Sequence, residues 1–175
     1  MREPDDRPPS DLLTPTLQGD EDGRPPKGPP PFRIESQVWV GVLGGVLPMF
    51  VIGMINGGRL GLPAAQRRRM LWIGLAAVAL TIAIYAWGIP RYFIDHGPGA
   101  GEGAPGVKRG LRLANQILGG LLYLVYRGIQ RPADRVFQFS DGEHASLWGP
   151  GIVAILGSTA VHAVALWAAI SWLRP

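Results

Sequence analysis

Four long apolar runs, Val38 to Ile55, Met70 to Ile89, Leu111 to Ile129 and Gly149 to Leu173, leave this chain few folds to choose from. A helix needs ~20 apolar residues to cross the ~30 Å hydrocarbon core of a bilayer. Within that core every backbone amide must be satisfied inside the protein, so runs of this length read as transmembrane helices. The expected fold is all-α, a polytopic membrane protein of about four transmembrane helices. The spans expected are 38–57, 70–89, 111–129 and 148–173, within a membrane domain over 36–175.

Residues 1–35 read as a separate tail. Residues 1–32 hold nine of the seventeen prolines, which remove backbone donors and favour extended chain. The tail is therefore expected to be extended or disordered, with no regular secondary structure of its own. It has no apolar stretch, and Asp5, Asp6, Asp11, Asp20, Glu21 and Asp22 exclude an acid-poor transit peptide. Pro26 and Pro29 match the PxxP spacing that aromatic grooves recognise, a weak signal in any Pro-rich tail.

The net charge is +4, and most of the arginines that set it flank the apolar runs. In a membrane protein such charges act as topology signals and headgroup partners, and no soluble basic face exists to carry nucleic acid. With the first run taken as a full crossing, the basic residues divide eight to seven between the two sides, which fixes no orientation. The dense cluster Arg67-Arg68-Arg69 favours a cytoplasmic link between the first two runs, with both termini opposite. Cysteine is absent, which excludes disulfides, thiolate chemistry and cysteine-ligated metals.

Small residues mark where helices should meet. Gly41 with Gly45, and Gly53 with Gly57, are two GxxxG pairs that let another backbone approach closely. Pro48 is expected to kink the first span near its middle. The third run opens with Asn115 and Gln116, amides suited to bonding across helices. The fourth holds His162, with Ser158 one turn earlier on the same face as a local partner. The stretches 91–110 and 130–147 read as loops. Gly101 to Gly106 spells GxGxxG without the strand and helix a nucleotide site needs. Asp134, Asp141, Glu143 and His144 lack a metal-ligand spacing. Phe137 and Phe139 alternate with polar neighbours, as residues that press on a membrane surface would.

The run Leu43 to Pro48, then Asn56-Gly57-Gly58-Arg59-Leu60-Gly61, then the arginine cluster, resembles the start of a group of small, uncharacterised four-span bacterial integral membrane proteins. Those proteins place the proline directly after the paired glycines, whereas Val46 and Leu47 intervene here. The resemblance implies a fold and no activity.

No pair of convergent acid–base or metal-binding groups can be assembled, so no catalytic, metal or cofactor site is expected. The expected function is a non-catalytic accessory subunit or assembly factor of a larger membrane complex, partnered by other integral membrane subunits and the lipid bilayer of a bacterial inner membrane. A small oligomeric transporter or channel is the alternative. It would use Asn56, Asn115, Gln116, Ser158 and His162.

Overall fold

The computed structural model describes residues 28–96, 105–140 and 142–173, and among these every regular element is helical. The expected tail lies outside the described residues up to position 27. From Gly28 to Pro31 it is irregular, and Phe32 forms an isolated parallel bridge with Ala145.

The first apolar run does not form one helix. A leading arm winds as a 3-10 turn Ile34–Ser36, a single α-turn α1, Gln37–Trp39, and a π-turn Val40–Gly44. The chain then breaks at Gly45, and helix α2 follows over Val46–Arg59. Gly45 has φ +83° and ψ −156°, a backbone region essentially reserved for glycine.

At this break the chain folds back on itself. The Phe32 N–H donates to Asn56 Oδ1 at 2.6 Å, and Gln37 and Asn56 both bond the same side-chain oxygen of Gln130. One unbroken helix over this stretch would hold Phe32 and Asn56 roughly 36 Å apart at 1.5 Å per residue. A Cβ on Gly41 would lie 3.5 Å from Met49 Sδ, on the opposite side of the break. Val40 and Ile52 likewise share one buried cluster with Phe32 and Leu147.

The expected span over 38–57 is therefore corrected to an antiparallel helical hairpin with its tip at Gly45. Gly45 permits the break, because a residue without Cβ adopts that conformation unstrained, and Asn115 of α4 holds it by accepting from Val46 N. Pro48 then sits in the first turn of α2, where its missing N–H leaves no intrahelical bond unmade, and it introduces no mid-helix kink.

Helix α2 ends in a Schellman motif. Gly61, at φ +65°, donates to Gly58 O, and Leu62 donates to Gly57 O, both at 3.1 Å. Helix α3, Ala64–His96, starts directly afterwards, so Arg67, Arg68 and Arg69 lie in its first two turns rather than in a link. Its Ala64–Gly88 portion is long and apolar enough to cross a membrane, and no other helix among the described residues is.

Helix α4 covers Pro105–Phe139. Both expected loops are thereby shortened, the first to within 97–104, which lies outside the described residues, and the second to 140–147. Helix α4 continues past Arg127 because its inward stripe does. Gly119, Leu122, Tyr123, Tyr126, Gln130 and Asp134 recur every three or four residues and are all buried. Pro132 lies within the helix, which continues past it to Phe139. Helix α5 covers Trp148–Leu173.

The hairpin is the centre of the molecule. Its α2 packs on α3 and α4, while α2 and the π-turn of the leading arm also pack on α5. The larger core joins Ile34, Val46, Met49, Met70, Leu122 and Tyr126, so it includes both arms. Gly28 to Arg33, the turn 60–63 and the loop 140–147 consequently gather at one end, the hairpin base.

Candidate functional site

The hairpin base and tip hold nearly all of the polar chemistry that the described residues offer. At the base, Gln130 of α4 acts as a hub. Its Oε1 accepts from Asn56 Nδ2 at 2.9 Å and Gln37 Nε2 at 3.4 Å, and its Nε2 donates to the Gly53 carbonyl at 2.8 Å. Gln37, Asn56 and Gln130 are each at most 1 % exposed. A buried amide lacking its partner costs about 1–3 kcal/mol, so this arrangement is stabilising only because it is complete. No buried side-chain nitrogen or oxygen among the described residues lacks a partner.

A strap closes the same end. Arg59 Nη1 donates to Pro30 O at 3.0 Å, Ala145 N donates to Pro31 O at 2.8 Å, and the Arg59 guanidinium lies 4.1 Å from the centre of the Phe32 ring. The loop is tied to α4 by His144, whose Nε2 lies 3.0 Å from Asp134 Oδ1, while Gln138 Nε2 donates to Asp134 Oδ2 at 2.8 Å. Asp134 is buried, and Phe137 meets the His144 ring edge-on at 5.2 Å. Among the described residues, no group of three or more His, Cys, Asp or Glu side chains comes together.

From the tip towards the base, the four glycines singled out in the sequence each face a different neighbour. A Cβ on Gly41 would lie 2.7 Å from the Gly119 carbonyl oxygen of α4. One on Gly45 would overlap the Asn115 amide, one on Gly53 would overlap the Tyr126 ring, and one on Gly57 would touch Leu62 and Met70. Asn115 Oδ1 accepts from Val46 N at 3.2 Å and so caps the second arm where it starts. Gln116 beside it is half-buried.

Ser158 is buried on α5, one turn before His162. The side chain of His162 lies outside the described residues. Phe139 at the end of α4 is exposed.

Sequence reasoning missed the hub itself. Gln37 carried no motif, Gln130 stood at the edge of an expected loop, and Gly119 and Tyr126 drew no attention. The signal was present in the three-to-four spacing from Asn115 to Asp134, which runs on past the arginine taken as the end of the third span.

No protein family matches this chain, and neither does any curated protein or solved structure.

Proposed function

We propose that this is a multi-pass protein of a bacterial inner membrane and a non-catalytic accessory or stabilising subunit of a larger membrane complex. In this reading α3, α4 and α5 cross the bilayer. The hairpin enters from one side and returns to it, because α2 reaches only about 21 Å at 1.5 Å per residue. Irregular backbone such as Gly45 is tolerated at that depth only when buried in protein, and Gly45 is buried against α4.

A returning first segment changes the charge count. Among the described residues, Arg33, Arg59, Arg67, Arg68, Arg69, Arg127, Arg131 and Arg135 then flank the hairpin base, against Arg91, Lys108, Arg109 and Arg112 towards the other end. Eight against four is a clear bias, and by the positive-inside rule the base faces the cytoplasm.

The observation that carries the functional reading is the mutual satisfaction of the interior amides. Gln37, Asn56, Gln130 and Asn115 are all engaged in holding the hairpin, a structural use of the amides that a transport path would need for a passing solute. Outward-facing Leu113, Ile117, Leu121 and Leu124 give α4 a continuous apolar face on which lipid or a partner's helix can pack.

Extraction of the tagged protein from its native membrane in mild detergent tests this reading. The 18.8 kDa chain should migrate within a much larger assembly, in fixed ratio to other integral membrane subunits. Deleting it should lower the yield of that assembly while the remaining assembly keeps its specific activity. His162→Leu should leave both yield and activity normal. Full assembly with abolished turnover in that variant would overturn the proposal in favour of transport.

A further inference from the structure

Beside the hairpin base the leading arm and α5 diverge, leaving a groove of about 700 Å³. Sites for small molecules fall in the range of roughly 300–1,000 Å³. Its inner wall is apolar, made by Trp39, Val40 and Leu43 from the arm and by Ile152 and Ile155 from α5. Its outer end is polar and adjoins a second concavity. The two share Arg33, Ser36, Gly142 and His144, and the second adds Glu35 and Gln138. Exposed Trp39 and Trp148 stand at the transition, as tryptophans do at a membrane–water interface. An apolar slot opening into a polar bowl at that level fits an amphiphile.

The charges in the bowl select the headgroup. Arg33 is one cation and is largely exposed, and Glu35 lies 3.9 Å from it in a solvated pair that contributes little and is free to exchange partners. Glu143 adds a second exposed carboxylate, and His144 is engaged with Asp134. One guanidinium beside two carboxylates suits a phosphate joined to a primary ammonium. The guanidinium takes the phosphate, and the ammonium has three N–H donors for the carboxylates. A phosphoglycerol headgroup carries the same phosphate charge with no cation to answer the two carboxylates, and choline has no N–H to donate.

We propose that this groove is a binding site for one ethanolamine phospholipid, its phosphate on Arg33, its ammonium on Glu35 and Glu143, and an acyl chain along Leu43, Ile152 and Ile155. The inference rests on the membrane reading above. That reading has its own check in whether the chain sediments with membranes and needs detergent for release.

The test is native mass spectrometry of the full chain in detergent with equal amounts of ethanolamine, glycerol and choline phospholipids. One ethanolamine phospholipid per chain should survive activation that strips the other two. Retention should fall about tenfold in Arg33→Gln, the effect of losing one charge-assisted contact. It should fall similarly in Ile152→Trp, which fills the slot. Retention should persist in Val153→Trp, an exposed position on α5 outside the groove. Arg33 is a surface residue, so its variant stays folded, which an unchanged melting temperature verifies. Equal retention of all three lipids, or retention untouched by Arg33→Gln, would reduce the groove to ordinary lipid contact and overturn the assignment.

Discussion

Replacing Gly45 with alanine separates the hairpin from a continuous span by the sign of one free-energy change. If 38–57 were a single crossing helix, Gly45→Ala would remove a flexible residue from a helix interior and stabilise the protein by about 0.5–1 kcal/mol. At the hairpin tip the outcome reverses. A residue with a Cβ held at φ +83°, ψ −156° costs about 1–3 kcal/mol. The new methyl would also overlap the Asn115 amide, which must move and give up its bond to Val46 N. That bond contributes about 0.5–1.5 kcal/mol, so the expected total is a destabilisation of roughly 2–4 kcal/mol. Gly61→Ala is the matched control, because Gly61 also has positive φ but open space around a Cβ, and it should cost only about 1–2 kcal/mol. The two contributions at Gly45 can be separated by a double-mutant cycle with Asn115→Ala. Removing the amide relieves the overlap, so the pair should cost less than the sum of the single changes by about 1 kcal/mol. Reversible unfolding in detergent micelles, followed by tryptophan fluorescence, reads all four stabilities. A stabilised Gly45→Ala protein, or strict additivity with Asn115→Ala, would refute the hairpin.

Three further outcomes are expected. Because the chain has no cysteine, single cysteines report without background: Gly28→Cys and Pro63→Cys should react with an impermeant maleimide from one side of the membrane and Arg109→Cys from the other, whereas a first crossing would separate Gly28 from Pro63. Gln130→Leu should destabilise by roughly 3 kcal/mol in the same unfolding assay, since it strands the buried amides of Asn56 and Gln37; a loss below about 1 kcal/mol would mean the hub is not formed. Adjacent glycines on α4 should differ: Gly119→Ala pushes into the backbone at Gly41 and Gly45 and should cost about 1–3 kcal/mol, while Gly120→Ala, with its nearest atom 3.9 Å away, should be neutral or stabilising by melting temperature.

The helical class was legible because apolar length is a property of composition, and α5 begins and ends where its apolar run does. The hairpin was not. A run of eighteen apolar residues from Val38 to Ile55 looks the same whether it crosses or returns, and the deciding fact is the torsion of Gly45, which depends on Asn115 seventy residues later. The glycine pairs were visible as close-approach positions, but a motif names no partner, and these four face a backbone, an amide, an aromatic ring and a methionine. The charge count failed for the same reason, since it inherits whatever path is assumed for the first run. Gln130 and Asp134 were obscured by the arginines around them, Arg127, Arg131 and Arg135, the first of which is taken as the end of a span when hydropathy is read without periodicity.

The break at Gly45 also has a history in the making of the protein. The hairpin is synthesised before α3, α4 and α5, yet the groups that complete it come later, with Asn115 and Gln130 on α4 and Leu147 just before α5. A chain released only as far as α3 has delivered an apolar segment whose tip amide at Val46 lacks Asn115 and whose Asn56 Nδ2 lacks Gln130. Order of folding then runs against order of translation, with α4 in place before the segment that precedes it can settle. Until that moment the nascent chain carries an apolar stretch whose polar groups wait for their partners.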